Sequence, residues 1–166
     1  MYRQLLEAIP ARAWFASFAL SAFALVAIGL QIQAIHSLAP CPLCIFQRVL
    51  YLLIGAVALL AWLVPDWRRL WAALMGVTAL VGLVVASYQS WMQAYPHLAT
   101  ECSYTDPNLI ERFVDWLGML HPGLFLATGF CAGRDWLFLN LSMANWSVLV
   151  FAGYLLAAVL VLRCRK

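Results

Sequence analysis

"VLYLLIGAVALLAWLVPDWRRLWAALMGVTALVGLVVASYQSW", residues 49–91, holds two apolar runs joined by PDWRR at 65–69. A hydrocarbon layer about 30 Å thick needs roughly 20 apolar residues of helix to cross it. Both runs reach that length once the first is taken back to Ile45, which gives spans of about 45–64 and 70–91. Two such helices with a five-residue connection form a membrane hairpin. Stretches at about 14–35 and 146–162 match the pattern. None of the four carries an acidic residue, and Arg48 is the only basic one inside them.

The bulk composition agrees. Of 166 residues, 66% are hydrophobic and 10% charged, whereas a soluble domain carries about a quarter charged residues. Eight tryptophans suit a chain whose indoles settle among headgroups. The expected class is an all-α integral membrane protein, one membrane domain over 1–166, built as a bundle of four transmembrane helices with a long loop at about 92–145. A net charge of +3, scattered in short clusters, gives no footprint for nucleic acid. Arg3 and Arg12 before the first span resemble the start of a signal peptide. The apolar run is too long for one and leads into no cleavage site, so the segment is expected to stay in the protein.

Basic residues set the orientation. Arg3, Arg12, Arg68, Arg69, Arg163, Arg165 and Lys166 share one side, while Arg112 and Arg134 share the long loop with five acidic residues. Both termini are therefore expected in the cytoplasm and the long loop outside it. Cys41, Cys44, Cys102 and Cys131 fall on the outer side, where disulfides persist. Four cysteines allow three pairings. Local reach favours Cys41–Cys44, leaving Cys102–Cys131. Cys164, on the other side, has no evident partner or role.

"AYPHLATECSYTDPN", 94–108, is rich in turn formers and places Cys102 on an irregular, accessible strip. "PNLIERFVDWLGMLHPG", 107–123, spaces Leu109, Ile110, Phe113, Trp116, Leu117 and Leu120 as one face of a short amphipathic helix. Such a helix either lies flat at the membrane interface or packs over the bundle. "FLATGFCAGRDW", 125–136, sets Cys131 among glycines.

The pair at 41 and 44 carries the chemistry. Zinc would need a second close pair of ligands, and the other cysteines are far apart, so no metal is expected. A purely structural bridge is a poor explanation, because so small a ring constrains little of the unfolded chain. Closely spaced cysteines are more often redox-active. Arg48 stands one helical turn beyond Cys44 on the same face, and a helix N-terminus with a nearby guanidinium favours thiolate. The pair sits where a lipid-soluble two-electron acceptor such as a quinone can reach it.

These residues resemble the disulfide bond formation protein B (DsbB) family of bacterial inner membranes. The resemblance rests on "CPLCIFQR" at 41–48, the loop cysteines Cys102 and Cys131, "YP" at 95–96, "FCAGRDW" at 130–136 and four spans, which together cover nearly the whole chain. It implies a protein-dithiol:quinone oxidoreductase. Cys102–Cys131 would reoxidise a periplasmic DsbA-like thiol oxidase, with Cys102 forming the mixed disulfide. Electrons would pass through Cys131 to Cys41, releasing Cys44 toward ubiquinone or menaquinone, with Arg48 supporting quinone binding. One position departs from the pattern: Gln89 stands where some relatives carry a histidine near the quinone. A glutamine hydrogen-bonds a quinone oxygen but carries no proton. A four-span scaffold with structural loop disulfides is the competing reading, and it leaves Cys41, Cys44 and Arg48 unexplained. A reductant conduit fares worse, since Cys164 alone cannot bring electrons across.

Overall fold

The computed structural model describes residues 11–96, 108–134 and 136–163. The chain is an all-α membrane protein with four helices long and apolar enough to span a bilayer. They are α1 (Ala11–Ile35), α2 (Pro42–Leu63), α3 (Arg68–Ala94) and α6 (Met143–Arg163). Two short helices, α4 (Leu109–Leu120) and α5 (Pro122–Phe125), and a small hairpin, β1 (Leu137–Phe138) with β2 (Leu141–Ser142), lie between α3 and α6.

The ends are set by local chemistry. Pro42 occupies the first turn of α2, where a missing N–H costs nothing, and Cys41 caps it. The helix therefore starts at 42 rather than about 45. Val64 precedes Pro65, which disfavours helical backbone there, and its non-helical φ −123 and ψ 80 end α2. A single 3₁₀ turn, Pro65–Trp67, reverses the chain. Trp71 Nε1 donates to the Val64 carbonyl at 2.9 Å, satisfying an acceptor left at that end. Leu139 and Asn140, both at positive φ, make the two-residue turn that pairs Leu137 with Ser142 and Phe138 with Leu141. Periodicity did not suggest these two-residue strands.

α1 packs on α2, α2 on α3, and α3 on α6. Lipid tails are as apolar as leucine, so burial of oil-like side chains cannot drive this packing; close backbone approach must. Accordingly Ala22, Ala58, Ala61, Ala79 and Ala86 are buried at the seams, while Leu20, Val77, Val84 and Leu156 face outward. One aromatic stack fills the centre. Tyr51 lies flat on Phe151, ring centres 4.3 Å apart, and Tyr154 meets Tyr51 edge-on. Gly82 admits the Phe151 ring: a Cβ there would stand 2.4 Å from it. Tyr154 and Ser21 share a hydrogen bond of 2.9 Å, tying α6 to α1.

The amphipathic segment forms α4, beginning two residues past Pro107. Asn108 Oδ1 accepts from the Ile110 and Glu111 amides at 3.0 Å, and Glu111 Oε2 accepts from the Asn108 amide at 2.8 Å. This reciprocal capping box fixes the first turn. The helix ends at Leu120, and Pro122 starts the separate turn α5 rather than merely marking a stop. α4 buries Val114, sets Gly118 against the backbone of Phe125 and Leu126, and meets α2 edge-on through Phe113 and Phe46. Leu109, Trp116 and Met119 point outward.

Candidate active site

Cys41 Sγ is the centre of the site. As the cap of α2 it accepts from the Cys44 amide at 3.3 Å, a placement that follows from a three-residue offset at a helix start. The Cys44 sulfur comes within 2.8 Å of it. Cys41 is also hydrogen-bonded to Cys131. Cys41 and Cys131 are 2% and 3% exposed, and with Leu43 and Met92 they form a cluster separate from the main core. Hydrogen bonding to Cys131 and then to Cys44, with burial, holds the Cys41 thiol well above the ordinary cysteine range. Three of the four cysteines assigned to the site thus meet. Cys102, like Cys164, lies outside the described residues.

Two anchors carry Cys131 to this position. The Pro40 carbonyl accepts from the amides of Thr128 and Gly129, at 2.9 and 3.0 Å. The backbones approach so closely that a Cβ on Gly129 would sit 2.0 Å from the Ala39 oxygen. Beyond the cysteine, buried Gln93 donates to the Gly133 carbonyl at 2.9 Å and accepts from Ser142 Oγ at 2.6 Å. The long loop is therefore pinned to the short one on one side of Cys131 and to α3 on the other.

Gln89 is 2% exposed on α3. Its Nε2 donates to Cys44 Sγ at 3.0 Å and to Cys41 Sγ at 3.3 Å. Its Oε1 accepts from Gln47 Nε2, one helix over, at 2.7 Å. Gln89 thus touches the sulfurs, a contact the sequence did not suggest. Arg48 lies one turn below Cys44, as expected. Its guanidinium donates to Gln33 Oε1 on α1 at 2.7 Å and to the Leu124 carbonyl on α5. A single cation thus joins α2, α1 and the long loop.

These groups line one cavity of about 570 Å³ between α1 and α6. Leu25, Ile28, Ile32, Met143 and Val150 supply apolar wall; Cys41, Cys44, Gln47, Arg48 and Gln89 supply the polar floor. Its size and its few convergent polar groups are those of a site for a small organic ligand. No group of three metal-ligating side chains occurs among the described residues.

Sequence reasoning missed Gln33, Gln47, Gln93 and Gly129. The glutamines did leave a signal. Uncharged polar side chains toward one end of apolar spans are costly in lipid and mark interior positions.

Comparison with known proteins agrees with the geometry. The family model described as "Disulfide bond formation protein DsbB" matches residues 11–161. Disulfide bond formation protein B of Dechloromonas aromatica is 59% identical over 152 residues, covering 92% of each chain. The protein of that name from Azoarcus sp. is 40% identical over 146 residues, covering 86% of this chain and 87% of its own. That from Nitrosomonas europaea is 36% identical over 157 residues, covering 92% and 93%.

Proposed function

The chain belongs to the disulfide bond formation protein B family, multi-pass membrane oxidoreductases that form disulfide bonds, and from that premise we propose that it oxidises a DsbA-like periplasmic thiol oxidase at the expense of a membrane quinone. One observation carries the reading: Cys41 Sγ contacts both Cys131 and Cys44, at the floor of an apolar cavity. Disulfide exchange requires an attacking sulfur and a leaving sulfur that both reach a central one, and Cys41 has both neighbours.

A thiolate of the partner attacks Cys102 of a Cys102–Cys131 disulfide, and Cys131 leaves as thiolate. The partner's second thiol resolves the mixed disulfide, so the partner leaves oxidised and Cys102 is reduced. Cys131 attacks Cys41 of a Cys41–Cys44 disulfide, and Cys44 leaves as thiolate. Cys102 then attacks Cys131, restoring the loop disulfide and leaving Cys41 and Cys44 reduced. A quinone in the cavity supplies the acceptor for the two electrons and two protons that restore Cys41–Cys44. The protein's share is to hold Cys44 against the cavity and to donate to it through Gln89. The Arg48 guanidinium offers positive charge at the same floor, and the apolar wall excludes water.

In this reading the cysteine loops face the periplasm and both termini the cytoplasm, as the basic bias directs. The outward apolar side chains of α4 suit a helix lying along the headgroups. The test supplies detergent-purified protein with ubiquinone and a reduced thiol oxidase, following quinone absorbance and thiol content. Quinone reduction that stops in Cys44→Ser is expected. Its absence in the wild type, or its persistence in Cys44→Ser, refutes the assignment.

A further inference from the structure

We propose that Gln47 is a positioning residue for the redox pair: it fixes the Gln89 carboxamide with its NH₂ toward Cys41 and Cys44, so that Gln89 supports a Cys44 thiolate as hydrogen-bond donor. The proposal takes its catalytic meaning from the quinone-linked reading above, while its geometry stands independently.

The two ends of a carboxamide have the same shape and opposite polarity. Packing around Gln89 therefore cannot decide which end meets the sulfurs. The choice belongs to whatever binds the other end, and that group is Gln47, which presents an N–H to Gln89 Oε1 at 2.7 Å. The amide then directs both of its hydrogens toward sulfur, at 3.0 and 3.3 Å. Both glutamines line the cavity floor yet are only 4% and 2% exposed, so each relies on the other as its polar partner. Turned the other way, Gln89 would set a carbonyl oxygen against a thiolate, and both are acceptors only.

The other ionisable groups around the site are few. Arg48 and Tyr51 line the cavity from α2, and Arg134 from the long loop. Cys131 adjoins Cys41, and Glu111 on α4 is held by its capping bonds. The cavity wall contributed by α1 and α6 carries no charge.

Three substitutions separate orientation from packing. Lysine at 47 can only donate, methionine can do neither, and glutamate as carboxylate can only accept. The readout is the alkylation rate of Cys44 in the reduced, full-length protein in detergent, followed by peptide mass at neutral pH, where the rate tracks the thiolate fraction. A hydrogen bond to a charged group is worth a factor of about ten or more. Gln47→Lys is expected to stay within about threefold of wild type, Gln47→Met to slow about tenfold, and Gln47→Glu to slow about a hundredfold. In a Gln89→Leu background the spread between lysine and glutamate should shrink to that of an added charge alone. Equal rates, a ranking by side-chain volume, or a spread unchanged by Gln89→Leu would overturn the proposal. If Gln47→Glu does not fold, the lysine-to-methionine ratio decides. Alkylation needs neither quinone nor partner, so a donor-ranked series without quinone reduction sinks the functional reading and spares this one.

Discussion

Gly129→Ala adds one methyl group where two backbones touch. Its Cβ would stand 2.0 Å from the Ala39 oxygen and 2.8 Å from the carbonyl carbon. Carbon and oxygen approach comfortably at about 3.3 Å, so the long loop must retreat by roughly 1.3 Å. The Thr128 and Gly129 amides now reach Pro40 at 2.9 and 3.0 Å; that retreat takes both beyond hydrogen-bonding length. Two lost bonds cost about 1–3 kcal/mol. The clash is with main chain, so a side-chain rotation cannot relieve it. Cys131, two residues on, moves with the loop. A misplacement on the order of 1 Å between reacting groups costs about a hundredfold in rate. The assay starts from the Cys44→Ser, Cys102→Ser protein, in which Cys41 and Cys131 are the remaining loop cysteines. A mild oxidant is added, and acid-quenched samples are alkylated and weighed to follow Cys41–Cys131 formation. Gly123→Ala is the control, because a Cβ there meets nothing within 4 Å. Cross-linking in Gly129→Ala within about threefold of the control would refute the argument that this contact delivers Cys131.

Three further outcomes follow from the packing and the caps. Gly82→Ala forces a Cβ into the Phe151 ring, which is itself stacked on Tyr51. Overpacking of this kind costs about 1–3 kcal/mol, read as a lower melting temperature in detergent; an unchanged melt would show the ring can yield. Asn108→Ala removes the acceptor for two first-turn amides of α4. It should destabilise that helix by about 1 kcal/mol, with hydrogen exchange at Ile110 and Glu111 accelerated and α2 unaffected; equal exchange at those amides counts against the cap. In the reduced protein the raised Cys41 thiol binds its proton more tightly folded than unfolded. Its stabilisation is complete below the unfolded thiol value of about 8.5 and fades as pH climbs through the higher folded value. Melting temperature should thus fall between about pH 8 and 10, more steeply in wild type than in Cys41→Ala; parallel slopes would contradict the hydrogen-bonded thiol.

The four spans were legible because lipid demands an apolar run of fixed length, a requirement each segment meets alone. Cys41, Cys44 and Arg48 were legible for a related reason: their relations run within one helical turn, where sequence spacing is spatial spacing. What stayed hidden depends on register between helices. Gln47 and Gln89 are 42 residues apart, and no local pattern says which residue of α3 faces which residue of α2. Arg48 was read as a group near Cys44, but its bonds to Gln33 and Leu124 tie it to elements whose approach only the folded bundle decides. Gly129 was visible as a turn former; that it admits Ala39 was not. The two-residue strands were too short for alternation to register.

Cys41 sits between Pro40 and Pro42, with φ −84 and ψ 163. Each ring locks its own φ, and each also confines the residue before it to extended backbone. Ala39 through Pro42 therefore form an inflexible rod capped by a helix at one end and clasped by the long loop at the other. A sulfur mounted on such a rod changes neighbours by turning about χ1 alone, from one staggered well to the next. As a member of the proposed relay, Cys41 would act as a turnstile more than a swinging arm: its post does not travel. In the proposed exchange Cys41 would thus change partners without rearrangement of its own backbone.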